Sequence, residues 1–130
     1  MKQYLAHISI LVDDYDLAID FYTQKLHFIL VEDITLSDDK RWVLIAPPGS
    51  KECCLLLAKA SNDDQKSRIG DQTGGRVFLF LYTDDFERDY QNLVEKEISI
   101  VRKPLKEEWG TVAVFADLYG NLWDLIEPMR

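Results

Sequence analysis

The sequence predicts an α+β fold: two tandem βαβββ units that form an open, cleft-lined mixed sheet with helices on its outer face. The main observation is a repeat, because the string VDDY at residues 12–15 returns as TDDF at residues 83–86. The same offset lays His7 on Phe78. In each copy an alternating apolar segment precedes the acidic pair and a helical pattern follows it. Two copies are too few for a stacked solenoid, so the pattern indicates a duplication.

The composition fits a folded domain. Of the 130 residues, 47% are hydrophobic and 12% are aromatic, which disfavours disorder. The net charge is −8 and no lysine or arginine cluster is present, which argues against nucleic acid as a partner. No apolar run approaches the roughly 18 residues of a membrane span, and the N-terminus lacks the apolar segment of a signal peptide. We therefore expect a cytoplasmic protein that has no membrane partner.

The first unit is predicted to open with a strand at residues 5–12 and a helix at residues 15–26. Asp13 and Asp14 lie between them, where either can cap the helix N-terminus. The strand carries Ile8, Ile10 and Val12 on one face and His7, Ser9 and Leu11 on the other. The predicted inward stripe of the helix contains Leu17, Ala18, Phe21, Tyr22 and Leu26.

Three further strands are predicted in the first unit, at residues 28–34, 41–46 and 52–58. A turn at residues 38–40 joins the first two. The segment 52–58 is apolar on both faces, which is typical of a central strand in a covered sheet. It contains Cys53 and Cys54, which we expect to be two buried thiols, since neighbours in a strand point to opposite faces and cannot pair.

The second unit repeats this order. A strand is predicted at residues 76–83, with Phe78, Phe80 and Tyr82 on one face, and an amphipathic helix at residues 86–96. Strands follow at residues 98–101, 111–115 and 121–126. Residues 1–130 are interpreted as a single domain with unit one at 1–59, a polar internal linker at 60–75 and unit two at 76–130.

Three segments resemble the vicinal-oxygen-chelate superfamily of glyoxalases, bleomycin-resistance proteins and extradiol dioxygenases. They are the string HISILVDD at residues 7–14 with AIDFY at 18–22, the stretch at 74–85, and the closing string FADLYGNLWDLI at 115–126. The resemblance covers nearly the whole chain. It implies paired βαβββ units around a cleft, a homodimer, and a divalent metal that chelates two neighbouring oxygens of a substrate.

The resemblance also implies four metal-binding positions, one near each of four strands. His7 matches the first position and Asp124 the fourth, whereas Phe78 occupies the third and has no ligating atom. For the second position, ungapped counting favours Cys53 and family alignment favours Leu56. A catalytic zinc site uses at least three protein ligands, so two matches leave a divalent metal ion as a cofactor to be tested.

The same residues can be interpreted as a ligand pocket. The expected lining is aromatic with a few polar groups, which suits a flat or apolar small molecule. The lining residues are Ser9, Trp42, Phe78, Phe80, Tyr82 and Trp109, together with His7 and Asp124 as tentative catalytic residues. The alternative for the aromatic side chains is an ordinary packed core.

Three functions follow from these interpretations. We favour a small-molecule-binding protein with an incomplete metal site, similar to the bleomycin-resistance branch. The alternative is a lyase, isomerase or dioxygenase that uses a metal or a metal-free acid–base pair of His7 and Asp124. A third alternative is an interaction protein whose cleft is filled by its own side chains.

Overall fold

The structure is a computed structural model that describes residues 1–50 and 52–129. It contains two compact units, one ending at Ile69 and one beginning at Gly70. The predicted α+β class and the two βαβββ units are confirmed. In chain order the elements are β1 His7–Val12, α1 Tyr15–Asp20, β2 Ile29–Thr35, β3 Arg41–Ala46, β4 Cys54–Lys59, α2 Asp63–Arg68, β5 Leu79–Tyr82, α3 Phe86–Glu95, β6 Ser99–Glu107, β7 Gly110–Ala116 and β8 Leu122–Pro128.

The sheet of unit one has the strand order β1-β4-β3-β2. Strand β1 runs parallel to β4, whereas the β4/β3 and β3/β2 pairs are antiparallel. The register pairs Ser9 with Leu56, and Leu56 with Leu44. Since paired residues project to the same face, these three side chains share one side of the sheet. Strand β4 is central and largely buried, as predicted from its apolar sequence.

Arg41 shows which face of this sheet carries helix α1. It lies on the same face as Val43 and Ile45, and its guanidinium donates to Asp16 Oδ1 of α1 over 2.9 Å. The guanidinium also lies 5.2 Å from the centre of the Tyr15 ring. The buried side chains of this face therefore form the core between sheet and helix.

The first helix is shorter than the predicted one and changes its geometry. Asp14 caps it, because the Leu17 N–H donates to Asp14 Oδ1 over 2.9 Å. From Phe21 to Lys25 the chain continues as a π-helical turn. Leu17 does not belong to the inward stripe and is 59% exposed. The buried positions Tyr15, Ala18 and Tyr22 are three and four residues apart, and Leu17 falls outside this stripe. Ala18, Phe21 and Tyr22 are buried as predicted.

Cys53 differs from its predicted position in a buried strand. Strand β4 begins at Cys54, which is buried, while Cys53 precedes it with a backbone φ of 58° and is half-buried. A left-handed residue cannot continue a β ladder, so the strand starts one residue later. Residues 60–75, interpreted as a linker, contain helix α2, which Asn62 caps by accepting from the Gln65 N–H over 2.8 Å.

The sheet of unit two has the equivalent order β5-β8-β7-β6. Phe80 pairs with Asp124, and Asp124 with Val114. The opposite face carries α3, because Glu127 Oε1 accepts from the Phe86 N–H at the start of that helix over 2.7 Å. On this helix-covered face the rings of Phe115 and Trp123 stack with centroids 5.9 Å apart.

Two strands of unit two depart from their predicted bounds. Strand β5 begins at Leu79, although the Phe78 N–H still donates to the Leu122 carbonyl over 2.9 Å. Strand β6 runs to Glu107, well past the predicted end at Val101. It passes through Pro104, which is tolerated because β6 lies at the sheet edge and its register shifts twice.

A buried polar turn joins β7 to β8. Asp117 Oδ1 accepts from the backbone N–H groups of Tyr119 and Asn121, each over 2.9 Å. Asp117 Oδ2 accepts from Asn121 Nδ2 over 2.8 Å. Gly70 lies against the same turn, where its φ is +79° and a Cβ would lie 1.9 Å from the Tyr119 carbonyl oxygen. Within the described residues, no helix has the length and apolar character needed to cross a bilayer.

Candidate functional site

Each sheet has a face opposite its helix, which we call the distal face of that unit. On the distal face of unit one, the structure places two predicted pocket residues next to each other. His7 and Trp42 form an edge-to-face pair with ring centroids 5.7 Å apart. The side chains that define this distal face are His7, Ser9, Trp42, Leu44, Cys54 and Leu56.

The centre of the distal face of unit one is apolar. Leu44, Ala46 and Cys54 are buried, and Trp42 and Leu56 pack against them. The exposed groups His7 and Ser9 lie on β1, at the edge of this apolar area. The face therefore combines an apolar centre with an imidazole and a hydroxyl at its border.

The distal face of unit two carries two of the other predicted aromatic residues. Phe80 and Tyr82 alternate along β5 and are 60% and 67% exposed. Phe78 precedes them and is half-buried, and Trp109 lies in the exposed turn between β6 and β7. The side chains that define this distal face are Phe80, Tyr82, Arg102, Val114, Asp124 and Ile126.

Asp124 is the unusual group of this face. It is only 9% exposed, and its Oδ1 has no hydrogen-bond partner among residues 1–50 and 52–129. Burial raises the pKa of the Asp124 carboxyl, and the positive charge of Arg102 acts on it in the opposite direction. Buried carboxylate oxygens normally have hydrogen-bond partners, so the state of Asp124 Oδ1 is unusual.

Arg102 was missed by the sequence interpretation. Arg102 pairs with Val114 between β6 and β7, and Val114 pairs with Asp124 between β7 and β8. The side chains of Arg102 and Asp124 therefore lie on the same face of the sheet. The signal that could have found it was the continuing run of β6 beyond Val101. Pro104 hid this signal, because proline within a run favours ending a predicted strand.

We expect the variant Asp124→Leu to be more stable than the wild type at pH 7, by about 1–2 kcal/mol, since it removes an unsatisfied buried charge. The pKa of the Asp124 carboxyl is higher in the folded than in the unfolded state. At pH values between these two pKa values, the folded state therefore binds more protons than the unfolded state. Wild-type stability therefore falls as pH rises through that window. The advantage of the variant should shrink as pH drops towards 4, in urea unfolding followed by tryptophan fluorescence.

The control for this experiment is Asp38→Asn, which changes an exposed carboxylate in a hairpin turn. Its free energy of unfolding should stay within about 0.5 kcal/mol of the wild-type value at pH 7 and near pH 4. An Asp124→Leu protein that is less stable than the wild type at pH 7 would show that the carboxylate stabilises the fold.

The register relates the second of the four implied metal-binding positions to the fourth one by the internal repeat. Ser9 on β1 is the repeat counterpart of Phe80 on β5, and their partners are Leu56 and Asp124. Leu56, and not Cys53, therefore occupies the position equivalent to Asp124. Neither Leu56 nor Phe78 has a ligating atom, and the described parts of the chain hold no group of three His, Cys, Asp or Glu side chains suited to a metal. His7 and Asp124 alone fall short of the three protein ligands of a catalytic zinc site.

His7 and Asp124 belong to different units. The predicted acid–base pair of these two residues therefore stays a prediction, as do the catalytic roles assigned to them.

Comparison with known proteins relates the chain to one superfamily. The family model of the Glyoxalase/Bleomycin resistance protein/Dioxygenase superfamily matches residues 4–125. An uncharacterized protein of Shewanella frigidimarina is 57% identical over 98% of this chain and 95% of its own length. The crystal structure of UcmS2 is 29% identical with a TM-score of 0.85, covering 98% of this chain and 99% of its own. That of TnmS3, an antibiotic binding protein from Streptomyces sp. CB03234, is 28% identical with a TM-score of 0.80, covering 98% of both chains.

Proposed function

This chain belongs to the Glyoxalase/Bleomycin resistance protein/Dioxygenase superfamily, and on that premise we propose that it binds a small, flat, largely apolar molecule without transforming it. The predicted resemblance to the vicinal-oxygen-chelate proteins is thereby confirmed. We place the main ligand contacts on the distal face of unit two. The roles of His7, Ser9 and Trp42 of unit one, and of Phe78 and Trp109 of unit two, remain predictions.

The observation that supports this proposal most directly is the exposure of Phe80 and Tyr82. Both are large aromatic side chains on a regular strand, and both leave more than half of their surface in water. Contiguous exposed apolar surface beside a polar group is typical of binding sites. Asp124, the register partner of Phe80, supplies such a polar group.

The similarity to an antibiotic-binding protein supports the same class of function. TnmS3 binds an antibiotic, and its chain is matched over nearly its whole length. We propose that this chain likewise takes a small organic compound and holds it through aromatic contacts.

The enzymatic alternative has less support. A metal-dependent lyase, isomerase or dioxygenase needs a ligand set that Leu56 and Phe78 do not provide. A metal-free reaction would need His7 and Asp124 to act together, and this pairing remains a prediction. The homodimer implied by the family and a cytoplasmic location are also kept as proposals.

We expect at least one compound from a panel of naphthalenes, anthracenes and acridines to raise the melting temperature, because binding to the native state alone stabilises it. In the variant Phe80→Ala the affinity should fall about tenfold, the effect of losing roughly 1.4 kcal/mol of stacking and apolar contact. Differential scanning fluorimetry with a concentration series measures both quantities.

The matched control is Tyr4→Ala, which removes an exposed aromatic side chain from the segment before β1. It should leave the affinity unchanged. If no compound of the panel shifts the wild-type melting temperature, the proposed binding function is overturned.

A further inference from the structure

We propose that the ligand carries a neutral hydrogen-bond donor, a hydroxyl or an N–H group on its aromatic body, and that Asp124 accepts this hydrogen bond. This inference rests on the proposed binding function and specifies which chemical group of the ligand is recognised.

The hydrogen-bonding state of Asp124 is the feature that points to a donor on the ligand. An ionised carboxylate only accepts hydrogen bonds, and leaving it buried without a donor is unfavourable. Asp124 is nine-tenths buried and its Oδ1 lacks a partner in the part of the chain that the structure describes. A donor on the ligand would satisfy this oxygen and make the stronger, charge-assisted type of hydrogen bond.

Phe80 lies beside Asp124 on the distal face. It pairs with Asp124 across the parallel β5/β8 ladder, so the ring and the carboxylate stand side by side on one face. Neighbouring strands lie about 4.8 Å apart. A flat ligand stacked on the Phe80 ring would therefore bring a substituent at its own edge to the Asp124 oxygen.

The surroundings of Asp124 favour a neutral donor over a cation. Arg102 is carried by the same face, two strands from Asp124, and its positive charge opposes the approach of another cation. Val114 and Ile126, which lie beside Asp124 on this face, are apolar and buried. Moving an ammonium group into such surroundings carries a large desolvation penalty, whereas a hydroxyl or N–H group loses much less hydration.

The test compares three probes with one aromatic body: 2-naphthol, which has a neutral donor; 2-methoxynaphthalene, which has none; and the cation 2-naphthylmethylammonium. Dissociation constants are measured by isothermal titration calorimetry with the full chain. For the wild type we expect 2-naphthol to bind about tenfold more tightly than 2-methoxynaphthalene, and more tightly than the cation.

The variants identify Asp124 as the acceptor. In Asp124→Leu the preference for 2-naphthol over 2-methoxynaphthalene should vanish. Leucine is a side chain that this strand position accepts, because Leu56 occupies the equivalent place in unit one. Asp124→Asn, which keeps the shape and one weaker acceptor, should show an intermediate preference.

The outcomes separate the two proposals. If neither these three probes nor any compound of the earlier panel binds the wild type, the proposed binding function fails and this inference fails with it. If another compound of the panel binds but none of these three does, the inference alone is overturned. If the probes bind but 2-naphthol and 2-methoxynaphthalene bind equally, the inference alone is overturned. It is also overturned if the cation binds most tightly, or if the preference for 2-naphthol survives in Asp124→Leu.

Discussion

Replacing Asp117 with alanine is expected to lower the free energy of unfolding by about 3–5 kcal/mol, a large effect for one substitution. The Asp117 carboxylate accepts three hydrogen bonds in the turn between β7 and β8, two from backbone N–H groups and one from Asn121 Nδ2. Asp117 and Asn121 are both buried. The substitution would leave these donors without their acceptor, and each unsatisfied buried group costs about 1–3 kcal/mol.

Urea unfolding followed by the fluorescence of tryptophan measures this loss, since Trp123 is buried in the adjacent strand. Asp63→Ala offers a matched comparison, because it removes an exposed aspartate from the first turn of α2. Its effect should stay below about 1 kcal/mol. Equal effects of the two substitutions would contradict a structural role for the Asp117 network.

The second large effect is expected for Gly70→Ala. A Cβ at Gly70 would lie 1.9 Å from the Tyr119 carbonyl oxygen and 2.9 Å from the Tyr119 carbonyl carbon. Both are backbone atoms of the turn that Asp117 holds, so neither can move aside without disturbing that network. We expect a loss of at least about 3 kcal/mol in the free energy of unfolding, because the left-handed strain adds to the steric overlap.

Gly49→Ala separates the two contributions. Gly49 has nearly the same backbone conformation, with φ of +77° against +79°, but a Cβ there would meet no atom within 4 Å. Its substitution should cost only the left-handed strain, about 1–2 kcal/mol. If Gly49→Ala and Gly70→Ala are equally destabilising in thermal or urea unfolding, the close approach to Tyr119 has no energetic consequence.

Much of the fold was predictable because local pattern and tertiary structure agree in the main strands. The alternation in β1 and β5 identifies the residues of both distal faces, and the acidic pairs mark where α1 and α3 begin. Helix α2 was not predicted as a helix, since its polar sequence DDQKSR has no apolar stripe. Its local signals are only a cap and charges of the favourable sign at each end.

The candidate site was less predictable, because it depends on register. Counting along the chain aligned Asp124 with Cys53, whereas the ladders align it with Leu56. The loops between equivalent strands differ in length in the two units, and such differences leave no mark on periodicity. The burial of Asp124 and the contribution of Arg102 likewise arise from neighbours that are distant in sequence.

The irregular outer strands β2 and β6 have a consequence for pairing between the sheet edges of different chains. Each lies at one edge of its sheet and exposes aliphatic side chains, among them Ile34 and Leu105. An edge strand with such side chains is a template for cross-β fibrils when it is long and flat. Both strands contain register shifts, and β6 also contains Pro104, so their backbones twist away from the geometry that an incoming strand requires. These irregularities therefore disfavour the pairing of either edge strand with a strand of another chain, although both edges expose aliphatic side chains to water.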